Sequence, residues 1–209
     1  NLCAAFEAGS DVHRATAALI YAVPPEQVTA EQRRTAKTIN FGVMYGMGAF
    51  RLAKELGIPR TRAQEFIDSY FTLYAGIKGF IAQTVQSAEE RGYVETIAGR
   101  RRPVPAIRSA NKLEKAGAER VATNTPIQGS AADIVKKAMI DVDAALREKP
   151  TGARLLLQVH DELILECPDS EEAISSTIAL VRDKMEHAYR LQVPLRVSIE
   201  QGTNWGLFH

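Results

Sequence analysis

The sequence predicts an α+β fold: a mostly helical first part, followed by a part in which a small antiparallel sheet packs on helices. Apolar residues recur at helical spacing, between helix start and stop signals, through most of the first 150 positions. Two short apolar runs then flank a polar turn, which is the pattern of a strand pair. The 209 residues, 45% of them hydrophobic and 24% charged, are enough to bury a core and exclude a disordered or fibrous chain.

Five helices are predicted before residue 92, over about 11–21, 29–41 or beyond, 49–56, 61–71 and 76–91. Ser10 or Asp11 can cap the first helix. Thr29 and Gln32 have the spacing of a capping box, which starts the second. Gly92 ends the fifth because glycine readily adopts the left-handed conformation at a helix end.

The later elements alternate in type: a hairpin over 93–104, helices over about 112–124 and 130–147, strands over 153–159 and 163–167, a helix over 170–189, and a third strand over 193–199. Pro103 and Pro105 keep the second arm of the hairpin at a sheet edge. Pro126 is expected to interrupt the helical pattern because proline has no N–H to donate and clashes with the preceding turn.

The net charge of +1 conceals two regions of opposite sign. Residues 1–150 contain 21 basic and 16 acidic residues, whereas residues 151–209 contain 5 basic and 9 acidic residues. The strip 91–115 has seven Arg or Lys residues against two Glu residues, which favours a polyanionic partner, with a solvated loop as the alternative. No stretch is apolar enough for a membrane span, and the two cysteines form no disulfide framework or zinc motif.

One stripe of the second helix combines charge with aromatic rings. Arg33, Lys37, Phe41 and Tyr45 follow each other at intervals of four residues and therefore lie along one face. Two cations near a helix N-terminus favour a highly negative group, and the rings beyond them offer platforms for a base. The pattern fits a nucleoside triphosphate. The alternative is a helix with exposed cations and buried aromatic residues.

A second candidate site is the turn His160-Asp161-Glu162 between two apolar runs. Adjacent carboxylates are suited to a divalent ion such as Mg²⁺, which binds one or two carboxylates together with phosphate oxygens and water. Neighbouring strand residues point to opposite faces, so Asp161 and Glu162 need not reach the same ion. The alternative is an exposed acidic hairpin turn.

Taken together, these motifs resemble those of the family A, DNA polymerase I-like polymerases. The run Arg-x3-Lys-x3-Phe-x3-Tyr-Gly over 33–46 is similar to motif B of that family, and 158–162 is similar to motif C. The segments 93–102 and 124–133 match the family in the same order, as does the pair Asp11 and His13 near the start.

The resemblance covers nearly the whole chain and implies its subdomains. Residues 1–107 would form the fingers subdomain, mostly helical with a hairpin near 92–105. Residues 108–209 would form the C-terminal part of the palm subdomain, where the small antiparallel sheet packs on helices.

The resemblance implies a template-directed DNA polymerase that adds deoxynucleoside triphosphates to a primer 3′ end, by in-line transfer assisted by two Mg²⁺ ions. Asp161 is implied as the metal ligand and catalytic residue, and Glu162 as a nearby helper. Lys37 is implied to ease the charge, or supply a proton, at the leaving pyrophosphate. The implied nucleotide-binding residues are His13, Arg33, Lys37, Phe41 and Tyr45. Phe41 resembles the family residue that packs on the sugar and base of the nucleotide. Tyr45 resembles the one that occupies the template stacking position until the fingers close.

The resemblance also implies contacts with the primer-template DNA, from Arg120, Asn124, Gln128 and His160 and from the strip Arg100, Arg101 and Arg102. Arg and Gln donors can sense the acceptors that every base pair presents in the minor groove, and the arginine strip would follow phosphates. On the residues alone, other interpretations stay open. Arg120 suits a surface cation, Asn124 and Gln128 suit helix caps, and His160 suits the end of a strand.

Some features of the family have no counterpart in these residues. Motif A, a strand ending in Asp-Tyr-Ser, is missing, and so is the thumb. We expect motif A, with the second metal-binding carboxylate, a short way upstream of Asn1, and we expect residues 1–209 alone to be inactive. Pro103 and Ala106 stand where the family has an aromatic residue and Asp.

The expected partners are a DNA template-primer, deoxynucleoside triphosphates and the remainder of the polymerase chain, with no membrane and a monomeric state. The expected location is the cytoplasm, in association with a bacterial nucleoid, while an organelle or phage origin stays open. The alternative function is a non-catalytic nucleic-acid-binding module derived from a polymerase. A hydrolase using His160 and Asp161 is the weakest alternative because no nucleophile is placed beside them.

Overall fold

A computed structural model describes residues 2–207 of the chain. It divides into two compact units, Asn1–Ile127 and Gln128–His209, and the division falls inside the longest helix. This division reflects compactness alone, so the subdomain boundary after residue 107 stays a prediction.

The first unit contains α1 (Leu2–Glu7), α2 (Val12–Tyr21), α3 (Ala30–Met44), α4 (Ala49–Leu56), α5 (Arg60–Leu73) and α6 (Ala75–Arg91). The predicted caps are confirmed. Asp11 accepts hydrogen bonds from the backbone N–H groups of His13 and Arg14 at the start of α2. Thr29 and Gln32 form the reciprocal capping box of α3, and Gly92 ends α6 in the left-handed conformation, with φ of 76°.

The packing of α3 against its neighbours fixes the face that carries the predicted stripe. Ile39 and Val43 are buried in a core with Leu52 of α4 and Ile67 of α5. A second small core joins α2 to α3 through buried alanines and Val28. Because these residues bury one side of α3, its other side is left for the stripe.

The hairpin and the helix that follows it form another core. Strands β1 (Tyr93–Glu95) and β2 (Arg101–Pro103) pair antiparallel, with Val94 opposite Arg102. Buried Val94, Val104 and Ile107 pack against alanines of α6 and of α7 (Lys112–Glu148). The hairpin predicted over 93–104 is therefore confirmed.

The prediction that Pro126 interrupts the helix is wrong: α7 continues through it to Glu148. A proline inside a helix costs about 3 kcal/mol, but its φ is already close to the helical value. Buried Ala118 and Ala122 before it, and Ala138 and Val142 after it, pack in the cores of the protein. Their burial favours continuation of the helix more than one missing N–H opposes it.

The second unit contains the remainder of α7, an antiparallel pair β3 (Arg154–Val159) and β4 (Glu162–Glu166), and α8 (Glu171–Glu186), capped by Ser170. Leu163 and Leu165 of β4 pack on Val142 and Val181, from α7 and α8. The predicted small sheet packed on helices is confirmed. Within residues 2–207, no helix combines the length and apolar composition needed to cross a membrane.

The third strand predicted over 193–199 is wrong for the described structure, in which that segment joins no sheet. Its residues do alternate between half-buried and exposed, as the pattern predicts. However, a strand also needs a ladder partner, and the N–H of Val197 instead donates to the Glu186 carboxylate at 3.0 Å. Alternation of apolar and polar residues indicates that one face of a segment is buried, but it does not indicate whether the segment pairs with another strand.

Candidate functional site

Helix α3 presents the predicted stripe on its accessible side. Lys37 and Phe41 are exposed, whereas Arg33 and Tyr45 are half-buried. The rings of Phe41 and Tyr45 are nearly parallel, with centroids 6.3 Å apart and an interplanar angle of 12°. The stripe therefore offers two cations and then two aligned rings, as the sequence predicts.

Helix α2 brings His13 to the stripe. The imidazole lies against Phe41, with ring centroids 5.6 Å apart and planes tilted by 54°. Buried Ala17 of α2 and Ala36 of α3 allow the two helices to pack closely at this point. Two segments separated in sequence are thus in contact at this point.

Arg33 is held in place by Asp11. Its Nε donates to the Asp11 carboxylate at 2.5 Å, and the same carboxylate caps α2. Partial burial alone would raise the pKa of Asp11, but the hydrogen bonds from Arg33 and from two backbone N–H groups, with the charge of Arg33, outweigh burial and lower that pKa below its usual 3.8. Asp11 therefore stays ionised and keeps Arg33 beside His13.

A buried polar pair supports His13 from behind. Asn40, on the buried side of α3, has its Nδ2 3.0 Å from His13 Nδ1, and its Oδ1 accepts from the Thr16 hydroxyl at 2.9 Å. Burial lowers the pKa of His13, and the positive charges of Arg33 and Lys37 lower it further against the opposing effect of Asp11. The imidazole is therefore biased towards its neutral form.

The arginines predicted to contact DNA have partners within the chain. Arg101 Nε donates to Glu95 at 2.7 Å, and Arg91 donates to the other carboxylate oxygen of Glu95 at 2.6 Å. Both guanidinium groups lie over the ring of Tyr93, 4.4 Å from its centroid for Arg91 and 4.8 Å for Arg101. Arg102 donates to the Thr125 hydroxyl at 3.1 Å. Arg100 lies at the turn of the same hairpin and is exposed.

Helix α7 carries three of the other predicted DNA contacts. Arg120 is exposed, and its side chain passes close to Gly46, where an added Cβ would lie 3.6 Å from Arg120 Cγ. The Oδ1 of Asn124 is buried and has no hydrogen-bond partner in the described structure. Gln128 is exposed and belongs to the second unit.

The turn between β3 and β4 holds the acidic pair. Val159 pairs with Glu162, so His160 and Asp161 form a two-residue turn and Glu162 begins β4. His160 has φ of 52°, a left-handed conformation that is uncommon for residues other than glycine. The Gln158 side chain donates to the His160 carbonyl. Asp161 and Glu162 are both exposed.

The donor set at this turn fits a partial site for a hard divalent ion. Asp161 and Glu162 supply carboxylate oxygens, the ligands that Mg²⁺ prefers, and both are accessible. Within residues 2–207, no three His, Cys, Asp or Glu residues cluster as a complete metal site would require. An ion held here would need its other ligands from phosphates, water or further carboxylates.

The structure assembles the predicted residues in two groups. His13, Arg33, Lys37, Phe41, Tyr45, Arg120 and Asn124 belong to the first unit with the arginine hairpin, and Gln128, His160, Asp161 and Glu162 belong to the second. Sequence reasoning missed Asn40, Thr16 and Glu95. A polar residue on the apolar side of a helix, beside Ile39 and Val43, was the available signal for Asn40.

Comparisons with known proteins agree with the resemblance seen in the sequence. DNA polymerase I of Treponema pallidum (strain Nichols) is 51% identical over 209 residues, which are all of this chain and 21% of that protein. The thermostable DNA polymerase I of Thermus thermophilus is 47% identical over 205 residues, or 98% of this chain and 24% of that protein. The chain thus spans about a fifth to a quarter of the length of these curated relatives.

A solved structure gives the same result for the fold. The POL domain of Pol1 from M. smegmatis, in complex with DNA primer-template and dNTP, is 43% identical with a TM-score of 0.88, covering 94% of this chain and 34% of that one. The family model for DNA polymerase family A matches residues 1–207. A match over nearly the whole length, with relatives about 50% identical, confirms the resemblance. The chain belongs to DNA polymerase family A.

Proposed function

We propose that this chain supplies the nucleotide-binding residues, and one metal-binding carboxylate, of a template-directed DNA polymerase. The observation that carries the proposal is the meeting of α2 and α3, where His13, Arg33, Lys37 and Phe41 combine positive charge with an aromatic surface. This combination suits a nucleoside triphosphate, whose phosphates need cations and whose base needs a flat apolar partner. The relatives are named as DNA polymerases, and the M. smegmatis structure is described as a complex with primer-template and dNTP.

The proposed nucleotide-binding residues act in two ways, through positive charge on the phosphates and through aromatic packing on the sugar and base. Arg33, kept in place by Asp11, and Lys37, which is exposed, neutralise the triphosphate. The Lys37 ammonium also stabilises the charge that develops on the leaving pyrophosphate, or gives it a proton. Phe41 packs on the sugar and base of the nucleotide, and Tyr45 occupies the template stacking position until the fingers close.

Asp161 is proposed to hold Mg²⁺ as catalytic metal ligand, with Glu162 as a nearby helper. When bound, the metal ions stabilise charge on the phosphate oxygens and on the attacking primer 3′-hydroxyl. The two-residue turn keeps Asp161 accessible at the end of a hairpin that packs on α7 and α8. A second bridging carboxylate would come from a segment such as motif A.

The DNA contacts are proposed for Arg120, Asn124, Gln128 and His160 and for the hairpin residues Arg100, Arg101 and Arg102. The exposed side chains of Arg120 and Gln128 supply donors for the acceptors at minor-groove edges, and Asn124 carries an amide N–H donor beside its buried Oδ1. The hairpin arginines suit phosphates, although Arg101 must first exchange its ion pair with Glu95.

The wider setting follows from the same proposal. Residues 1–107 would act as fingers and 108–209 as part of the palm of a longer, monomeric polymerase. Its partners would be primer-template DNA, deoxynucleoside triphosphates and the rest of the polymerase chain. Its location would be the bacterial cytoplasm, at the nucleoid.

The test is Lys37→Ala in the complete protein that contains this chain. We expect single-nucleotide incorporation to fall by about tenfold or more, with primer-template affinity nearly unchanged, because the ammonium acts on the nucleotide. Pre-steady-state incorporation and DNA-binding titrations measure the two effects separately. The matched control is Lys54→Ala, an exposed lysine on α4.

Equal losses of incorporation and DNA binding would contradict the assignment of Lys37 to the nucleotide. Full DNA binding without turnover in the unaltered complete protein would instead support the non-catalytic binding module.

A further inference from the structure

Asn40 lies in an unusual position for a polar residue. It faces the core side of α3, is 5% exposed, and stands next to fully buried Ile39. Its partners are both on α2, a different helix: Thr16, which is 1% exposed, and His13. A buried amide is costly unless its donors and acceptor are engaged, so this contact joins the two helices in one specific arrangement.

The hydrogen bonds fix the way in which the imidazole of His13 is held. Asn40 Nδ2 lies 3.0 Å from His13 Nδ1, while Asn40 Oδ1 accepts from the Thr16 hydroxyl. With this amide orientation Nδ1 accepts a hydrogen bond, and the neutral imidazole has its hydrogen on Nε2. With the reversed amide, Nδ1 would donate instead, and the Thr16 hydroxyl would accept from Nδ2 and give its one hydrogen to the Val12 carbonyl. In both arrangements the Asn40 side chain is hydrogen-bonded to Nδ1 of His13. Nε2 is then the ring nitrogen that is left to contact a ligand.

We propose that Asn40 is a positioning residue for nucleotide binding: it holds the His13 imidazole through Nδ1, with the Thr16 hydroxyl bonded to the other end of the amide, so that Nε2 is available to hydrogen-bond the triphosphate. The inference rests on the proposed function, because it requires His13 to contact the incoming nucleotide. It adds a specific role for two residues that touch no substrate.

The surroundings of His13 explain why the ring needs this support. The charged groups that act on it are Arg33, Asp11 and Lys37, and the ring of Phe41 packs against it. Asp11 attracts an imidazolium, whereas the two cations repel it. Asn40 is the partner that carries no net charge, and it holds Nδ1 whether or not the ring gains a proton, because its amide can present either end.

The experiment is a double-mutant cycle in the complete polymerase. The dissociation constant for a dNTP and the maximal incorporation rate are measured by single-turnover kinetics for His13→Ala, Asn40→Ala and the double variant. We expect Asn40→Ala to weaken dNTP binding by about fivefold, the effect of one hydrogen bond, with a smaller change in the maximal rate. In the His13→Ala background the same change should have no further effect.

Thr16→Val tests the same contact in a variant of nearly unchanged shape, which guards against a failure of Asn40→Ala to fold. It should weaken dNTP binding by about twofold. The matched control is Thr72→Val: both hydroxyls bond to the carbonyl four residues earlier in a helix, but Thr72 is exposed on α5. A third variant, Asn40→Asp, places a carboxylate at Nδ1. It should raise the pKa of His13 and shift the pH profile of dNTP binding upward, which a purely structural role would not do.

Two results would overturn the inference in distinguishable ways. If Asn40→Ala weakens dNTP binding by the same factor in both backgrounds, Asn40 acts on the fold and not through His13, while the proposed function stands. If His13→Ala leaves dNTP binding unchanged, both the inference and the nucleotide role of His13 fail.

Discussion

Asp11 joins two structural roles in one carboxylate. Oδ1 accepts hydrogen bonds from the backbone N–H groups of His13 and Arg14, and Oδ2 accepts a hydrogen bond from Arg33 Nε. The first role starts α2, and the second fixes the arginine at the head of the stripe on α3. A sequence reading can find the first from the N-cap pattern, but the second depends on helix packing across 22 residues.

Asp11→Asn separates these roles, because asparagine caps a helix nearly as well as aspartate but carries no charge. The pKa of Asp11 lies below 3.8 in the folded protein, so its ionised form contributes stability that is full above pH 3.8 and lost as the pH falls through the folded-state value. We expect the variant to be less stable at neutral pH and the difference to shrink in acid.

Unfolding midpoints in urea between about pH 2 and pH 6 measure this difference. Asp68→Asn is the control, since Asp68 is exposed on α5 and bonded to Gln64. A stability difference that does not change with pH would contradict the role given to the charge of Asp11.

The β3–β4 turn shows strain next to the proposed metal ligand. His160 has φ of 52°, which costs about 1 kcal/mol or more for a residue with a Cβ. The adjoining Asp161 is exposed and lies outside the strands, where its removal should leave the packing of β4 intact.

Asp161→Asn therefore tests chemistry separately from stability. Under the proposed function, we expect nucleotide incorporation by the complete protein that contains this chain to fall by at least about a thousandfold, because an amide binds Mg²⁺ far more weakly than a carboxylate. The melting temperature should stay within about 2 °C of the unaltered protein. Asp169→Asn, at another exposed acidic position in the same unit, is the control. Retained turnover would remove Asp161 from the metal site.

At the scale of elements, local signals were sufficient wherever a helix end is decided by its own residues. The capping box at Thr29 and the left-handed Gly92 are such cases, and both were predicted from sequence. The continuation of α7 through Pro126 and the unpaired segment 193–199 depend on tertiary packing and on a ladder partner, which no local pattern encodes.

The contacts within the arginine hairpin, β1–β2, are likewise not encoded in any local sequence pattern. Its charge predicts a polyanion partner, but the sequence does not show that Glu95 already pairs with Arg91 and Arg101, or that both stack on Tyr93. Glu95 thus competes with any phosphate that these arginines would bind. Its own pKa is lowered by the hydrogen bonds from Arg91 and Arg101, so it stays ionised at neutral pH.

Glu95→Gln should accordingly release the two guanidinium groups. We expect primer-template affinity at low salt to rise by about twofold to fivefold, the range of an exposed ion pair, with a steeper dependence on salt. Fluorescence anisotropy over a salt series measures both. Glu65→Gln, which removes the partner of Arg62 on α5, is the control. Unchanged affinity and salt dependence would mean that the hairpin does not follow phosphates.

For the whole molecule, the sequence predicted the fold class and the grouping of residues by motif, but not the supporting contacts. The stripe on α3 follows from spacing alone. The approach of His13 to Phe41 was implied only by the family resemblance, because it depends on packing between α2 and α3. The sequence offers one signal for Asn40, a polar residue on the apolar side of α3, but its contacts with Thr16 and His13 depend on how α2 and α3 pack.

Within the described residues, the proposed metal ligands lie at the β3–β4 turn. Asp161 and Glu162 are consecutive carboxylates at one turn, and no cluster of three His, Cys, Asp or Glu residues occurs within residues 2–207. In the proposed two-metal mechanism, two Mg²⁺ ions would need a further carboxylate besides these two residues. We therefore expect purified residues 1–209 to extend no primer at Mg²⁺ and dNTP concentrations that saturate the complete protein containing this chain. Circular dichroism for helix content and anisotropy for primer-template binding verify that the fragment is folded. Extension by a folded fragment would mean that Asp161 and Glu162 suffice to hold both ions, and the need for a second carboxylate would be refuted.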